Sequence, residues 1–388
     1  MNRTFRSFRS KRIVAALLGL SLLFTGLATG CYDDGMYRVP EGAVIRDPIR
    51  TTAAPTNPFA PQTYYFENDY LPNKAVTISQ LLAQSGENGE AFAFIADSHT
   101  EDGQNAGQTP HLLNYLCSQT NLSRAILCGD VYAGISPDYP ATLEKAFTDG
   151  SVHYVMGNND YGRDVTDADL FASYHAGKTD EIGNPDRHYY YVDSPDNKLR
   201  YIVLNCWSDT QTTATDLDVQ NEWLKSEALQ VEEGWGILVF AHAFVVREWT
   251  RDTDLRYFTA VMKPIAKTLL EYDGDGEVLA LFHGFRHQDM ISRMRLDSKG
   301  NPVLDDTCGG IPLISTAADK YYTDKEANPY EMLIDREAGT ITEQAFDVVV
   351  VDRENGQLHC VRIGAPARDK SGWLTEKQVE VRTVNIRE

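Results

Sequence analysis

Five apolar stretches of this chain each stop at residues able to hold a metal ion. Ala91–Ala96 runs into Asp97-Ser98-His99, Arg124–Cys128 into Gly129-Asp130, and Val152–Met156 into Gly157-Asn158-Asn159-Asp160. Ile237–Ala241 runs into His242, and Val278–Phe282 into His283-Gly284-Phe285-Arg286-His287. Short apolar runs of this kind read as buried strands. Open α/β sheets place their ligands in the loops past the carboxyl ends of strands. Asp97 and His99 are two apart and share one side of an extended chain. The glycines ahead of Asp130 and Asn158 let backbone come close to a common centre. Asp, Asn and His together form an oxygen and nitrogen donor set that suits Mn, Fe or Zn rather than a thiolate metal. Each piece alone is commonplace, since Gly-Asp is usually a turn and a histidine after a strand is usually a core residue. Five in order, each directly after a strand, point to one metal centre.

The elements that must position these residues follow an α/β rhythm. Thr109-Pro110 opens a helix with Leu112, Leu113 and Leu116 on one face. Residues 141–148 and Leu217–Leu229 read as helices, and Tyr257–Leu270 as a helical stripe interrupted by Pro264. His188–Val192 and Leu199–Cys206 read as strands paired across the turn at 195–197. Phe346–Val351 and Leu358–Ile363 flank Asn355-Gly356, a strong hairpin signal. Tyr64-Tyr65-Phe66 reads as an N-terminal strand and Tyr189-Tyr190-Tyr191 as strand packing. Strands alternate with helices early and dominate late, which predicts two packed sheets with helices outside.

The ligand series resembles the calcineurin-like metallophosphoesterase family, whose pattern is D-x-H, G-D, G-N-H-[DE], a lone H, then G-H-x-H. The resemblance spans roughly residues 90–290. Gln220-x-x-Trp223-Leu224 and the segment 340–364 also look like bacterial secreted members of that family. It implies a four-layer α/β/β/α sandwich, two mixed β-sheets flanked by helices. It also implies two divalent metals bridged by an aspartate and a hydroxide that attacks phosphorus in a phosphomonoester or phosphodiester. Carried over by position, Asp97, His99 and His287 hold the first metal, Asp130 bridges, and Asn158 and His242 hold the second. Asn159 and Asp160 take the positions next to the substrate, and Arg286 offers a donor to the phosphate or pairs with a surface acid.

This chain departs from the pattern twice. Asn159 stands where the family has a histidine, and an amide donates a hydrogen bond but shuttles no proton near neutral pH. Phe285 stands where G-H-x-H has a ligand, so the second metal is held more weakly. His283 either leans in to replace it or is a strand-end histidine with a backbone partner. His153 is a further candidate proton donor, and Tyr132 reads as a pocket wall. The two departures keep a second function open: a non-catalytic surface protein of the same fold that binds a glycan or a protein partner.

The first thirty residues read as an address. Residues 1–12 are basic, and Ile13–Phe24 is an apolar core too short for the roughly 20 residues that span a bilayer. Ala28-Thr29-Gly30-Cys31 resembles a bacterial lipobox, which would lipidate Cys31 and place the protein in the bacterial envelope, on the outer membrane or at the cell surface; the alternative is an ordinary cleaved secretory signal. Residues 31–62 hold five prolines and read as a tether, leaving 63–388 as the catalytic domain, with a motif core at 90–290 and a β-rich part at 291–388. The formal net charge of −20 disfavours long nucleic acid and anionic membranes as partners, so the membrane contact is the lipid alone and the substrate a small phosphoester. Cys117, Cys128, Cys206, Cys308 and Cys360 form no C-x-x-C and read as free thiols.

Overall fold

Alternate residues of the first strand, β1 (Glu90–Ile95), enter two different cores. Ala91, Ala93 and Ile95 pack into one with Leu112, Leu113, Leu116 and Ile78, while Phe92 and Phe94 pack into another with Tyr201, Phe240 and Phe282. A strand buried on both faces has no polar side, which is why its sequence shows a continuous apolar run. The computed structural model describes residues 60–99, 107–131, 138–147, 151–161, 165–207, 217–250, 253–258, 262–285, 287, 289–305, 309–319, 336–368 and 378–387.

The first sheet has the order β18 (Val381–Asn385), β15 (Gln357–Gly364), β14 (Ala345–Asp352), β1, β2 (Leu122–Cys128), β3 (Ser151–Val155). The second has the order β12 (Pro302–Asp305), β11 (Met290–Leu296), β13 (Ile311–Ser315), β10 (Glu277–His283), β7 (Gly236–Ala241), β6 (Leu199–Leu204), β5 (Tyr189–Ser194), β4 (Ile182–Asn184). Two short ribbons, β8 (Val245–Thr250) with β9 (Thr253–Phe258) and β16 (Ala367–Arg368) with β17 (Gln378–Val379), stand apart from them. Both sheets are mixed. β1, β2 and β3 run parallel, as do β6, β7, β10 and β13, while β14 joins β1 antiparallel. All five ligand-bearing loops therefore leave the carboxyl ends of parallel strands.

The sheets meet face to face through aromatic rings. Phe92 stands edge-on to Tyr201, Phe240 and Phe282, with centroids 5.4, 5.7 and 5.5 Å away. Edge-to-face pairs contribute about 0.5–1.5 kcal/mol each beyond their buried area. Outside the first sheet lie α1 (Tyr70–Gln84), α2 (Thr109–Gln119), α3 (Asp138–Ala146) and α4 (Asp167–Tyr174), which feed Ile78, Leu113, Leu143 and Leu170 into its outer core. Outside the second lie α5 (Leu217–Trp223) and α6 (Lys263–Leu270), with Trp223, Ile265 and Leu269 against it. This is the expected layering of two mixed sheets flanked by helices.

Three local expectations change. Residues 64–66 lie in a 3₁₀ segment, Thr63–Asp69, rather than a strand. The turn buries Tyr65 completely and lets the Tyr64 hydroxyl donate to Glu343 (3.0 Å), which an extended chain with alternating sides would not do as readily. Pro264 does not interrupt a helix but stands near the start of α6, where its missing N–H costs nothing. The residues before it, Thr253–Phe258, form β9 instead. The predicted helix over Leu217–Leu229 is α-helical to Trp223 and widens to a π turn over Leu224–Ala228. The tyrosine run packs as expected, with Tyr189 and Tyr191 against Trp223 and Tyr190 between the sheets.

The C-terminal strands also brace the site. Arg362 on β15 donates from Nε to Asp347 on β14 (3.0 Å) and from Nη2 to Asp289, two residues beyond His287. Arg382 on β18 donates to Asp347 as well (2.5 Å). Two cations and two carboxylates, all buried, neutralise one another. Cys128, Cys206 and Cys360 are buried free thiols, as expected; Cys308 and Cys31 lie outside the described residues.

Candidate metal centre

Hydrogen bonds of the β1–β2 ladder continue past the strands and set the first two motifs side by side. Asp97 N donates to Gly129 O (3.1 Å) and His99 N to Asp130 O (2.9 Å). Gly284 N donates to His242 O (3.1 Å), which joins the loops after β7 and β10 in the same way. Gly129 and Gly157 close the packing. A Cβ on Gly129 would lie 2.2 Å from His242 Nδ1, and one on Gly157 would lie 2.2 Å from Asp130 N. The close approach expected of these two glycines is present, and an alanine at either would push the loop apart.

The result is a buried cluster. One ligand atom from each of Asp97, His99, Asp130 and His287 lies within 4.8 Å of every other, and all four residues are buried. His99 Nε2 is 3.1 Å from His287 Nε2 and 3.7 Å from Asp130 Oδ2, and His287 Nε2 is 3.4 Å from Asp97 Oδ1. His242 Nε2 is 3.3 Å from Asp130 Oδ1 and 3.9 Å from Asp97 Oδ1. The backbone is held under strain here. Nine described non-glycine residues have positive φ, and five of them are Asp97, His99, Asp130, Phe285 and His287. Left-handed backbone costs about 1–3 kcal/mol at such residues and gathers where a site over-determines it.

These residues fit a metal ion. His242 Nδ1 donates to Cys128 O (2.7 Å), so when the ring is neutral its lone pair sits on Nε2, 3.3 Å from Asp130 Oδ1. The buried Oδ1 of Asn158 makes no hydrogen bond. It is one of several such atoms among the described residues, and it belongs to a residue expected to be a ligand. Without a metal, burial opposes ionisation of Asp130, but His242 and His99 outweigh it and hold the carboxyl below the usual range. Burial likewise disfavours the His242 cation, yet Asp130 and Asp97 raise its pKa to about 9. The cluster therefore draws positive charge.

The remaining expectations divide. Phe285 offers no ligand: its ring stands edge-on to His242, centroids 5.6 Å apart, and lies 5.8 Å from Trp207. Its backbone N–H is the useful part, donating to both oxygens of Asp97 (3.1 and 3.0 Å). His283 Nδ1 donates to Gly284 O (3.1 Å), which gives it the backbone partner of the second alternative. Asp160 is turned toward the main chain. Its carboxylate accepts from the main-chain N–H of Asp130, Val131 and Gly157 and from the Tyr174 hydroxyl (3.1, 2.7, 2.8 and 2.9 Å), so it fastens the two loops together. Asn159 donates to Asp130 from both N and Nδ2. His153 is a partner of Ser151 and Glu181 rather than of the centre. Arg286 and Tyr132 lie outside the described residues. Sequence reasoning missed the Asp289–Arg362 pair behind His287; the carboxylate two residues past the last ligand was its one signal.

No family model matches the chain, and no curated protein matches it. Among solved structures, a crystal structure of a Vps29 single mutant from Entamoeba histolytica is similar at 11% identity, covering 76% of this chain and 98% of that one, with a TM-score of 0.30. So distant a likeness carries no weight, and the function has to be read from the centre itself.

Proposed function

We propose that this chain is a metal-dependent phosphoesterase of the calcineurin-like type, acting on a small phosphomonoester or phosphodiester. The observation behind this reading is the convergence of Asp97, His99, Asp130 and His287 within 4.8 Å, beside a His242 ring turned toward the same carboxylates. Divalent ions such as Mn, Fe or Zn, two at full loading, would acidify a water molecule and neutralise charge on the phosphoryl oxygens. Asp97, His99, His287 and Asp130 would hold one ion, and Asn158 and His242, with Asp130, would hold the other. The Phe285 N–H fixes the plane of the Asp97 carboxylate, and Cys128 O fixes the tautomer of His242. Burial of every ligand keeps bulk water from competing for these positions.

The test is metal content per chain of the purified protein, with hydrolysis of p-nitrophenyl phosphate and bis-p-nitrophenyl phosphate under added Mn. At least one tightly held equivalent and Mn-dependent turnover are expected; bound metal without turnover on any phosphoester leaves the non-catalytic binding reading, which Phe285 favours. We also infer that the protein is a lipoprotein anchored through Cys31 in the bacterial envelope. Cys31→Ser should then shift it out of the membrane fraction or stall its processing. Unchanged partitioning with an unmodified N-terminus would refute the anchor.

A further inference from the structure

Asn159 occupies the position from which the resemblance expects a donor to substrate, yet its main-chain N–H and one of its two side-chain N–H groups are turned to Asp130. Its main-chain N–H donates to Asp130 Oδ1 and its side-chain Nδ2 to Asp130 Oδ2, each at 2.8 Å. Those two oxygens face different halves of the centre: Oδ1 lies 3.3 Å from His242 Nε2, and Oδ2 lies 3.7 Å from His99 Nε2. A carboxylate oxygen has two lone pairs. One donor on each oxygen fixes the carboxylate plane and leaves one lone pair per oxygen, directed to either side. Asp160 holds the Asp130 main chain from the same loop, so residues 157–160 grip Asp130 at both backbone and side chain.

We propose that Asn159 is a positioning residue that sets the Asp130 carboxylate for metal binding, and not a donor to the substrate phosphate. The inference rests on the metal reading above. It concerns a side chain for which the family pattern has a histidine, so the change at this position becomes a change of role rather than a loss. Partners of metal-ligating groups typically contribute about 10–100-fold in metal affinity. Asn159→Ala keeps the main-chain donor and loses only Nδ2, so its loss belongs at the lower end, about tenfold. Asn159→Asp puts a second carboxylate against Asp130 and should lose about 100-fold.

The experiment is a Co(II) titration of the full chain and both variants, read by the visible ligand-field bands, with inorganic phosphate then added at saturating Co(II). Circular dichroism and urea unfolding check that each variant is folded. The expected result is the graded loss of Co(II) affinity, an altered band shape in both variants, and unchanged phosphate affinity once metal is saturating. A merely structural role would lower unfolding stability without moving the bands. Wild-type Co(II) affinity and bands in Asn159→Ala, with or without weakened phosphate binding, would overturn the proposal while leaving the metal reading intact. A wild-type protein that takes up no Co(II) would overturn both.

Discussion

Two clusters of buried histidines lie in this molecule, and they are built on opposite plans. At the candidate centre, ring nitrogens and carboxylate oxygens converge, with His99 Nε2 3.1 Å from His287 Nε2 and His242 Nε2 3.3 Å from Asp130 Oδ1. Beside β3 and α4 the histidines form a chain instead. His153 Nδ1 and His175 Nδ1 both donate to Glu181 (3.3 and 2.8 Å), His188 Nδ1 donates to His175 Nε2 (3.0 Å), and His153 Nε2 accepts from Ser151 (2.9 Å). With every ring neutral, each of those contacts pairs one donor with one acceptor. Convergence gathers acceptors around one point, while in the chain donors and acceptors alternate from Ser151 to His188, whose Nε2 ends 3.6 Å from Asp167 Oδ1. Histidine count and burial are alike in the two places; the direction of the lone pairs separates a metal centre from a structural network.

Removing a ligand from the first cluster breaks the contrast most strongly. Asp97→Asn or His287→Ala should lower metal affinity by about 100-fold or more, above the range for a ligand's outer partners. Mn at 100 times its dissociation constant should stabilise the wild type by about 2.7 kcal/mol, and that gain should vanish in either variant. Thermal melts with and without Mn read this directly. Equal gains in wild type and variants would place the metal elsewhere.

Glu181→Gln should do the reverse, sparing the metal effect while costing about 1–3 kcal/mol in urea unfolding, because a buried histidine donor loses a charged acceptor. Any accompanying loss of Mn stabilisation would mean the two clusters are coupled.

The network also sets a pH dependence. Burial lowers the pKa of His153 to about 4 and of His175 to about 2, with Arg124 acting in the same direction on the first and His188 on the second. Their folded-state values lie below the unfolded value of about 6.5, so the unfolded chain binds more protons as pH falls. The stability they contribute is complete above about pH 6.5 and declines toward pH 4. Urea midpoints of the metal-free protein between pH 7.5 and 4.5 should fall accordingly, and His153→Gln should flatten the slope. An unchanged slope in that variant would remove His153 as a source.

The five strand ends were legible in the sequence because a buried parallel strand writes itself as an apolar run, and its last residue marks where a ligand loop begins. Asp97, His99, Asp130 and His287 meet accordingly, and His242 stands beside them. What Asn159 and Asp160 do was not legible, since both act on residues about thirty positions earlier, and only the fold states which loop comes within reach. Tyr64-Tyr65-Phe66 misled because β propensity describes fit to a pleated, half-buried surface, and these rings are presented by a 3₁₀ turn instead. Pro264 misled through position: one proline ends a helix or starts one, depending on where the apolar stripe begins.

Phe285 gives the smallest effect and the finest test of the contrast, because it asks whether convergence at the His242 side is complete. Its ring takes the place of the first histidine of G-H-x-H, while its N–H still holds Asp97. On that side Asp130, Asn158 and His242 remain, and three protein ligands with water can hold a metal, as catalytic zinc sites do. Restoring a ligand with Phe285→His leaves the N–H contact untouched and adds one nitrogen. The second equivalent of Mn should then bind about tenfold tighter, a gain near 1.4 kcal/mol, with the first equivalent unchanged. Two-site calorimetric titration separates the two steps. If both steps match the wild type, the ring at this position lies outside the reach of the ion, and the His242 side is closed by geometry rather than by the missing imidazole.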